Sequence, residues 1–478
     1  MSKIIKEFYT FDDVLLRPQR SGVFSRKDVS TSAQLSKHIN LHIPLLSANM
    51  DSVTESRMAR FMAEAGGIGI IHRFLPIEKQ VEEVRKVKRA ENVVIEDPYT
   101  ISESASVEEA QKFMKEHLIS GLPVLNMNQK VVGIITRRDI LFTENLNKKV
   151  SEVMTKKVIT GGPKTSFSDA KKILFSYRIE KLPLVDSKLR LKGLITLKDI
   201  LKQAHGSAVS KDKRGRFLVG AAVGVKEDTL ERARALLDAG ADILVLDIAH
   251  GHNERALNTI KLLKQKLPGM EIIGGNVATA KGVIDLIKSG ADAVKVGIGP
   301  GAACTTRIVT GVGVPQLSAI FETAEIARKY KIPIIADGGI RNSGDLSKAL
   351  AAGGYTAMIG GLLAGTDEAP GEYILEDGAS YKLYRGMASR EASEDKLRID
   401  GNPPIGGDGP YRAAEGKSGK VYYRGKAGNV VGELIAGLRS SMSYLGAKNL
   451  KDFQKNAEFV RISPAGLKES HPHDMKST

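Results

Sequence analysis

Short apolar runs rich in β-branched residues recur along the chain: PLLSA (44–48), GIGII (67–71), FLVGAAV (217–223), ILVLDIA (243–249), EIIGGNV (271–277), DAVKVGIG (292–299), PIIADGG (333–339) and TAMIGG (356–361). Between them lie segments with apolar residues at i, i+3 and i+4, such as SRMARFMAEAG, TLERARALLDAG, NERALNTIKLLKQK and SGDLSKALAAG. The first pattern predicts strands buried on both faces, the second amphipathic helices. Eight such units, the last six uninterrupted, predict an α/β protein built as a (β/α)8 TIM barrel. A doubly wound sheet is the alternative on pattern alone.

A repeat interrupts the units. SGLPVLNMNQKVVGIITRRDI (120–140) matches EKLPLVDSKLRLKGLITLKDI (180–200), with Leu122, Pro123, Gly133, Thr136 and Asp139 returning 60 residues on as Leu182, Pro183, Gly193, Thr196 and Asp199. An amphipathic helical pattern precedes each copy. Two small α/β modules that share a core are therefore expected as an insertion after the second barrel unit. The expected boundaries are 1–92 for the first part of the barrel, 93–152 and 153–210 for the modules, and 211–478 for the rest.

Composition narrows the function. The 478 residues carry 71 Lys+Arg against 55 Asp+Glu, a net charge of +16. The basic clusters EVRKVKRAEN and SKDKRGR flank the module junctions, where solvated charge explains them. With no Trp and 5% aromatic residues, base stacking has little to work with. The charge suits a phosphorylated metabolite better than nucleic acid. No apolar run approaches the roughly 20 residues of a membrane span. The first residues hold acids where a signal peptide would be apolar. One cysteine, Cys304, excludes an intrachain disulfide and a cysteine-based zinc cluster. A reducing cytoplasm is the expected compartment.

In a barrel of this kind, chemistry belongs where strands enter their following loops. Asn49, Met50, Asp51, His72, Arg73, Asp247, His250, Asn276 and Asp337 stand there, with glycines Gly338, Gly339, Gly360 and Gly361. A lone Asp at a strand end is commonly a helix cap, and such glycines serve tight turns as well as phosphate. Cys304 lies in GPGAACTT, a loop too small to be core. It reads as a nucleophile or as a small buried hydrophobe. The carbonyls of Gly299, Gly301 and Cys304 could ring a monovalent cation.

GIGPGAACTTRIVTGVGVPQ closely resembles the active-site loop of the IMP dehydrogenase and GMP reductase family. TFDDVLLRP, IPLLSANMDSVTE, GGIGIIHR, IIADGGIR, LAGTDEAPGE, YRGMAS and GLKESHPHD extend the match over the whole barrel, and the repeat pair resembles the two CBS modules inserted in many members. The resemblance implies a nucleotide-binding barrel, assembled as a homotetramer or octamer, whose cysteine forms a thioimidate with C2 of the purine. By that resemblance Cys304 is the nucleophile, with Thr306 and Glu415 as a proton relay. Asp337, Gly339, Gly360, Gly361, Tyr384, Gly386 and Met387 contact the nucleotide. Asp247, Asn276, Gly297 and Gly299 lie on the cofactor side. Gly299, Gly301 and Cys304, with Glu469 and Ser470 of a neighbouring subunit, resemble a potassium site. Ala302 replaces the family's usual serine.

Family dehydrogenases carry an adjacent Arg-Tyr pair on a flap to activate water. The flap here, 390–425, lacks it, and Tyr411-Arg412 with YRAAEGK (411–417) and SANMD (47–51) resembles the reductases. The expectation from these motifs is an NADPH-dependent GMP reductase of purine salvage, converting GMP to IMP and ammonia. The alternative is an NAD-dependent IMP dehydrogenase. The repeat pair suggests a site for ATP or GTP, through Thr136/Asp139 and Thr196/Asp199, or plain helix caps at those positions. A binding-only protein would need an unreactive Cys304.

Overall fold

The computed structural model describes residues 7–90, 95, 98–117, 119–163, 165–197, 200, 208–399 and 413–472. The chain divides into two compact units: Met1–Ala90, Ala208–Asp212 and Phe217–Thr478 form the first, Glu91–Ser207 and Lys213–Arg216 the second.

The first unit is a closed parallel barrel. Its strands are β1 (Leu45–Ser47), β2 (Ile68–Ile71), β3 (Val219–Val223), β4 (Ile243–Leu246), β5 (Glu271–Val277), β6 (Ala293–Val296), β7 (Ile334–Asp337) and β8 (Thr356–Ile359). They pair in sequence order, and β8 closes on β1. Nearly every strand residue is buried, because one face fills the barrel and the other meets helices. The helices are α1 (Ser56–Glu64), α2 (Ile77–Ala90), α3 (Thr229–Asp238), α4 (Glu254–Lys266), α5 (Ala280–Lys288), α6 (Gln316–Lys329), α7 (Ser343–Ala351) and α8 (Ala427–Tyr444). Their starts are written in the sequence: Asn253, Thr279 and Asn342 each accept a backbone N–H of the first turn of α4, α5 and α7. The (β/α)8 TIM barrel expected from the hydrophobic pattern is therefore the fold.

Close packing between layers depends on small residues. A Cβ on Gly69 of β2 would lie 2.3 Å from Ala59 Cα and 2.6 Å from Ala59 Cβ on α1. Backbone must move to admit it, so Gly69→Ala is expected to cost about 3 kcal/mol, the upper end for overpacking a core. Urea unfolding of the variant checks this.

Between β8 and α8 the chain builds an antiparallel sheet from Tyr373–Glu376, Ala379–Arg385 and Ser418–Tyr422. Lys382, 1% exposed, ties it down by donating to the carbonyls of Thr366 (2.9 Å) and Ala369 (2.7 Å).

The second unit carries the repeat in its backbone. Gly121–Leu125 pairs with Val131–Thr136, and Lys181–Val185 with Leu191–Thr196. Ile101 runs parallel to Val124, and 60 residues on Gly161 runs parallel to Leu184. Both hairpins turn alike. Asn126 and Asp186 each accept two backbone N–H groups through the side chain, and Gln129 and Leu189 both adopt positive φ, at 59° and 61°. Thr136 donates through N and Oγ1 to Asp139, both at 2.7 Å, as the cap of Arg137–Leu141. Asp199 lies outside the described residues. Among the described residues, no helix is long and apolar enough to cross a membrane.

Candidate active site

The C-terminal ends of the barrel strands open into two adjoining chambers. The first, of about 310 Å³, is lined by Asn49 and Met50 after β1, Arg73 after β2, Asp247 to Ala249 after β4, Asn276 on β5, Gly297 to Gly301, Ala303, Cys304 and Thr306 after β6, and Asp337 on β7. Gly386 to Ala388, Glu415 and Gly416 close it from the flap. The second, of about 520 Å³, is lined by Pro300 to Ala303, Asp337 to Arg341, Gly360 to Leu362, Tyr384 and Lys417 to Val421.

Cys304 is half-buried, and its thiol donates to Thr306 Oγ1 at 3.2 Å. The loop that carries it is gripped by the flap as an added strand. Thr305 N donates to Glu415 O, and Lys417 N to Ala303 O, both at 2.9 Å. The same flap segment bonds back to the sheet: Gly386 N donates to Lys417 O (3.0 Å) and Glu415 N to Ala388 O (3.1 Å). Cys304, Thr306 and Glu415 thus share one chamber wall.

Below the thiol lies a polar hub that joins three strands. Lys295 of β6 donates to Asn276 Oδ1 on β5 and to Asp337 Oδ2 on β7, each at 2.5 Å. Asn276 Nδ2 donates to Asp337 Oδ2 (2.8 Å) and to Gly297 O (2.9 Å). Gln316, 2% exposed, donates to the carbonyls of Val296 and Asp337 at the root of the catalytic loop. Both side-chain bonds to Asp337 fall on Oδ2, which leaves Oδ1 for a ligand. Arg73 Nε meets Asp247 Oδ2 at 2.8 Å.

Tyr384 hangs from the flap sheet over the second chamber, its hydroxyl 3.8 Å from Met50 Sδ. Burial, with the charges of Asp337 and Cys304 adding to it, pushes the phenol up to about 12. Tyr384 is therefore a neutral donor at every physiological pH. Between pH 10, where an unfolded tyrosine ionises, and about 12, the folded state keeps a proton the unfolded state has shed. Stability is expected to fall as pH rises through that window, and Tyr384→Phe should flatten the fall. Unfolding midpoints measured from pH 9 to 12 check it.

Arg385 links the barrel, through Asp51 after β1 (Nε–Oδ2 2.9 Å), to the flap helix Arg390–Ile399, through Asp395 (2.7 Å). The roles of Lys295, Gln316 and Arg385 were not anticipated from the sequence. Lys295 did leave a signal, since a lysine within the apolar run DAVKV has to find a partner. Arg385 left none. Of the anticipated residues, Cys304, Thr306, Glu415, Asp247, Asn276, Gly297, Gly299, Gly301, Gly386 and Met387 line the first chamber. Gly339, Gly360 and Gly361 line the second, and Asp337 and Tyr384 line both. Glu469 and Ser470, at the end of the helix Pro464–Glu469, line neither. Tyr411 and Arg412 lie outside the described residues.

Comparison with known proteins supplies the family. The model of the IMP dehydrogenase / GMP reductase domain matches residues 8–473. Inosine-5'-monophosphate dehydrogenase of Aquifex aeolicus is 52% identical, over 100% of this chain and 98% of its own length. That of Nitrosopumilus maritimus is 51% identical over 98% and 99%, and that of Bacillus subtilis 49% over 100% and 98%. A solved structure of a cysteine-to-alanine variant of GMP reductase from Trypanosoma brucei, in complex with guanosine 5'-monophosphate, superposes with a TM-score of 0.89 at 42% identity, covering 99% of both chains.

These findings correct one expectation. The flap motifs point to a GMP reductase with NADPH, but the full-length relatives at 46–52% identity carry the dehydrogenase name. The physical reason is that the two activities fall within one family and share one barrel, so that little of the chain separates them. A short motif in the flap weighs less than identity spread over the whole chain. The match of family model, full-length relatives and a barrel holding a lone cysteine at its mouth establishes that this chain is an oxidoreductase of the IMP dehydrogenase / GMP reductase family.

Proposed function

We propose that the chain oxidises IMP to XMP with NAD, through a covalent intermediate on Cys304. The observation that carries this reading is the likeness, along the full chain, to proteins named inosine-5'-monophosphate dehydrogenase. The Cys304 sulfur adds to C2 of the hypoxanthine ring, and a thioimidate remains once C2 has given up its hydrogen and two electrons. Bound NAD supplies the acceptor for both. Water then adds to C2, the sulfur leaves as thiol, and XMP is released.

Each step has a candidate group among the chamber residues. Asp337 Oδ1 is the acceptor for ribose hydroxyls, while Lys295 and Asn276 fix the carboxylate through Oδ2. The N–H groups of Gly339, Gly360 and Gly361 suit the phosphate, since no side chain bars its approach. Ala302 offers no hydroxyl to it. Thr306 and Glu415 form the path by which the attacking water loses its proton, and Tyr384 donates without ionising. Asp247, Asn276, Gly297 and Gly299 face the cofactor; the chamber beside Arg73 and Asp247 has the polar wall that a dinucleotide ribose needs.

For a monovalent cation, the carbonyls of Gly299, Gly301 and Cys304 fit in kind, as neutral backbone oxygens. Among the described residues, no cluster of three His, Cys, Asp or Glu offers a different site. Three carbonyls are half a coordination shell, so Glu469 and Ser470 of a neighbouring copy would complete it in a homotetramer. We read the second unit as a CBS pair for ATP or GTP. Its candidate seat is a hollow of about 280 Å³ beside Gln111, Met114, Lys115 and Arg137.

The test is one side-by-side assay. IMP with NAD is expected to give NADH and XMP at a steady rate. Ammonia release from GMP with NADPH, and no NADH from IMP, would overturn the proposal.

A further inference from the structure

The barrel's β4 is held at both ends by ion pairs to the same neighbour, the segment that runs from β2 through α2. At the active-site end Arg73 meets Asp247 at 2.8 Å. At the opposite end Lys88, in the last turn of α2, meets Asp242 just before β4, at 2.6 Å. The Lys88 side chain is 4% exposed, far too buried for a solvent-facing lysine.

Asp242 has further partners. Its Oδ2 also accepts Val219 N at 2.8 Å, and its own N–H donates to Val219 O at 2.9 Å. The start of β4 is thereby fixed to the start of β3. Burial pushes the Asp242 carboxyl up, and the Lys88 ammonium opposes this by favouring the ionised form.

Lys88 has a second partner. Asp212 Oδ2 accepts from Nζ at 3.0 Å. Asp212 ends the segment Ala208–Asp212 by which the chain re-enters the barrel unit, directly before residues 213–216 of the second unit. That segment is stitched in beside it. Ser210 N donates to Ala63 O in the last turn of α1, and Leu218 N to Ser210 O before β3. One buried ammonium therefore joins the exit of the chain from the barrel, its return, and the base of the strand that carries Asp247. Asp242 and Asp247 are five residues apart, about 17 Å of extended chain.

We propose that Lys88 is a positioning residue for the cofactor end of the site: its ammonium, shared between Asp242 and Asp212, sets the seating of β4 and so of Asp247, and gives the returning segment a lever on cofactor binding. Two ties at the ends of one short strand leave it little freedom, so a change at the base is felt at the tip. The inference rests on the cofactor-side assignment of Asp247, and the experiment separates the two.

The test uses the full chain with Lys88→Met, Lys88→Arg and Asp212→Asn. In Lys88→Met the KM for NAD is expected to rise roughly fivefold or more, while the KM for IMP stays put. Hydrogen exchange in peptides covering 243–250 should quicken. Lys88→Arg should restore both. Asp212→Asn, which keeps the Lys88–Asp242 pair, should give a smaller shift of the same sign and decides the matter if Lys88→Met does not fold. An unchanged KM for NAD with unchanged exchange at 243–250 would overturn the proposal, as would an equal rise in both KM values. If the wild type makes no NADH from IMP, the functional reading fails, and exchange at 243–250 alone still judges the lever.

Discussion

Cys304→Ala is expected to lower turnover by a factor on the order of 10⁴ or more, the scale on which removing an enzyme's nucleophile acts. Binding of IMP should persist within a few-fold. The argument is geometric. Cys304 sits on a loop whose shape comes from backbone bonds to the flap, Thr305 N to Glu415 O and Lys417 N to Ala303 O, and none of these uses the sulfur. The nucleotide contacts proposed above lie elsewhere, on Asp337 and on the glycines after β7 and β8. The variant should therefore keep its fold and its ligand while losing the bond-forming atom. Calorimetric titration with IMP, beside a steady-state assay, separates the two effects. Retained turnover would exclude covalent chemistry at this position.

Asp337→Ala is expected to be the most destabilising single change at the site. The Lys295 side chain is 5% exposed and that of Asp337 22%. Taking the carboxylate away strands an ammonium inside the barrel mouth, and breaking a buried pair from one side costs about 3–5 kcal/mol. Asn276 loses an acceptor as well, which adds to the loss. Lys295→Met should cost less, since the carboxylate left behind still reaches solvent. The double variant Lys295→Met/Asp337→Ala should recover part of the loss, because neither charge then remains. Thermal unfolding of all three, with IMP titrations, checks the order. A double variant whose loss equals the sum of the two single losses would mean the pair is not coupled.

The barrel was legible because each of its strands is apolar on both faces and each helix has one apolar face, so the local pattern carries the global answer. The flap sheet was not. Tyr373–Glu376 and Ala379–Arg385 mix exposed Tyr373, Leu375 and Leu383 with buried Lys382 and Tyr384, and no run stands out. Val14–Leu16 pairs with Phe459–Arg461 across almost the entire chain, a contact that no local pattern encodes. The reactive loop was legible from Cys304 and its glycines, whereas the hub beneath it was not: Lys295, Asn276 and Asp337 come from three strands and acquire meaning only when the barrel closes.

The choice between dehydrogenase and reductase was the misreading with the greatest functional weight. It rested on SANMD (47–51), and on YRAAEGK and the missing Arg-Tyr pair in a flap segment whose residues 400–412 lie outside the described structure. Glu415 and Gly416, which are described, meet the catalytic loop directly. Their contact serves any chemistry that must shield a thioimidate until its second step, so it does not by itself separate hydrolysis from deamination.

The most direct test is mass spectrometry of the Cys304 peptide from enzyme quenched during turnover of IMP and NAD. The expected result is an adduct whose added mass is that of IMP less two hydrogens, lost when the substrate is replaced by buffer. An unmodified peptide from enzyme that is visibly producing NADH would contradict the account.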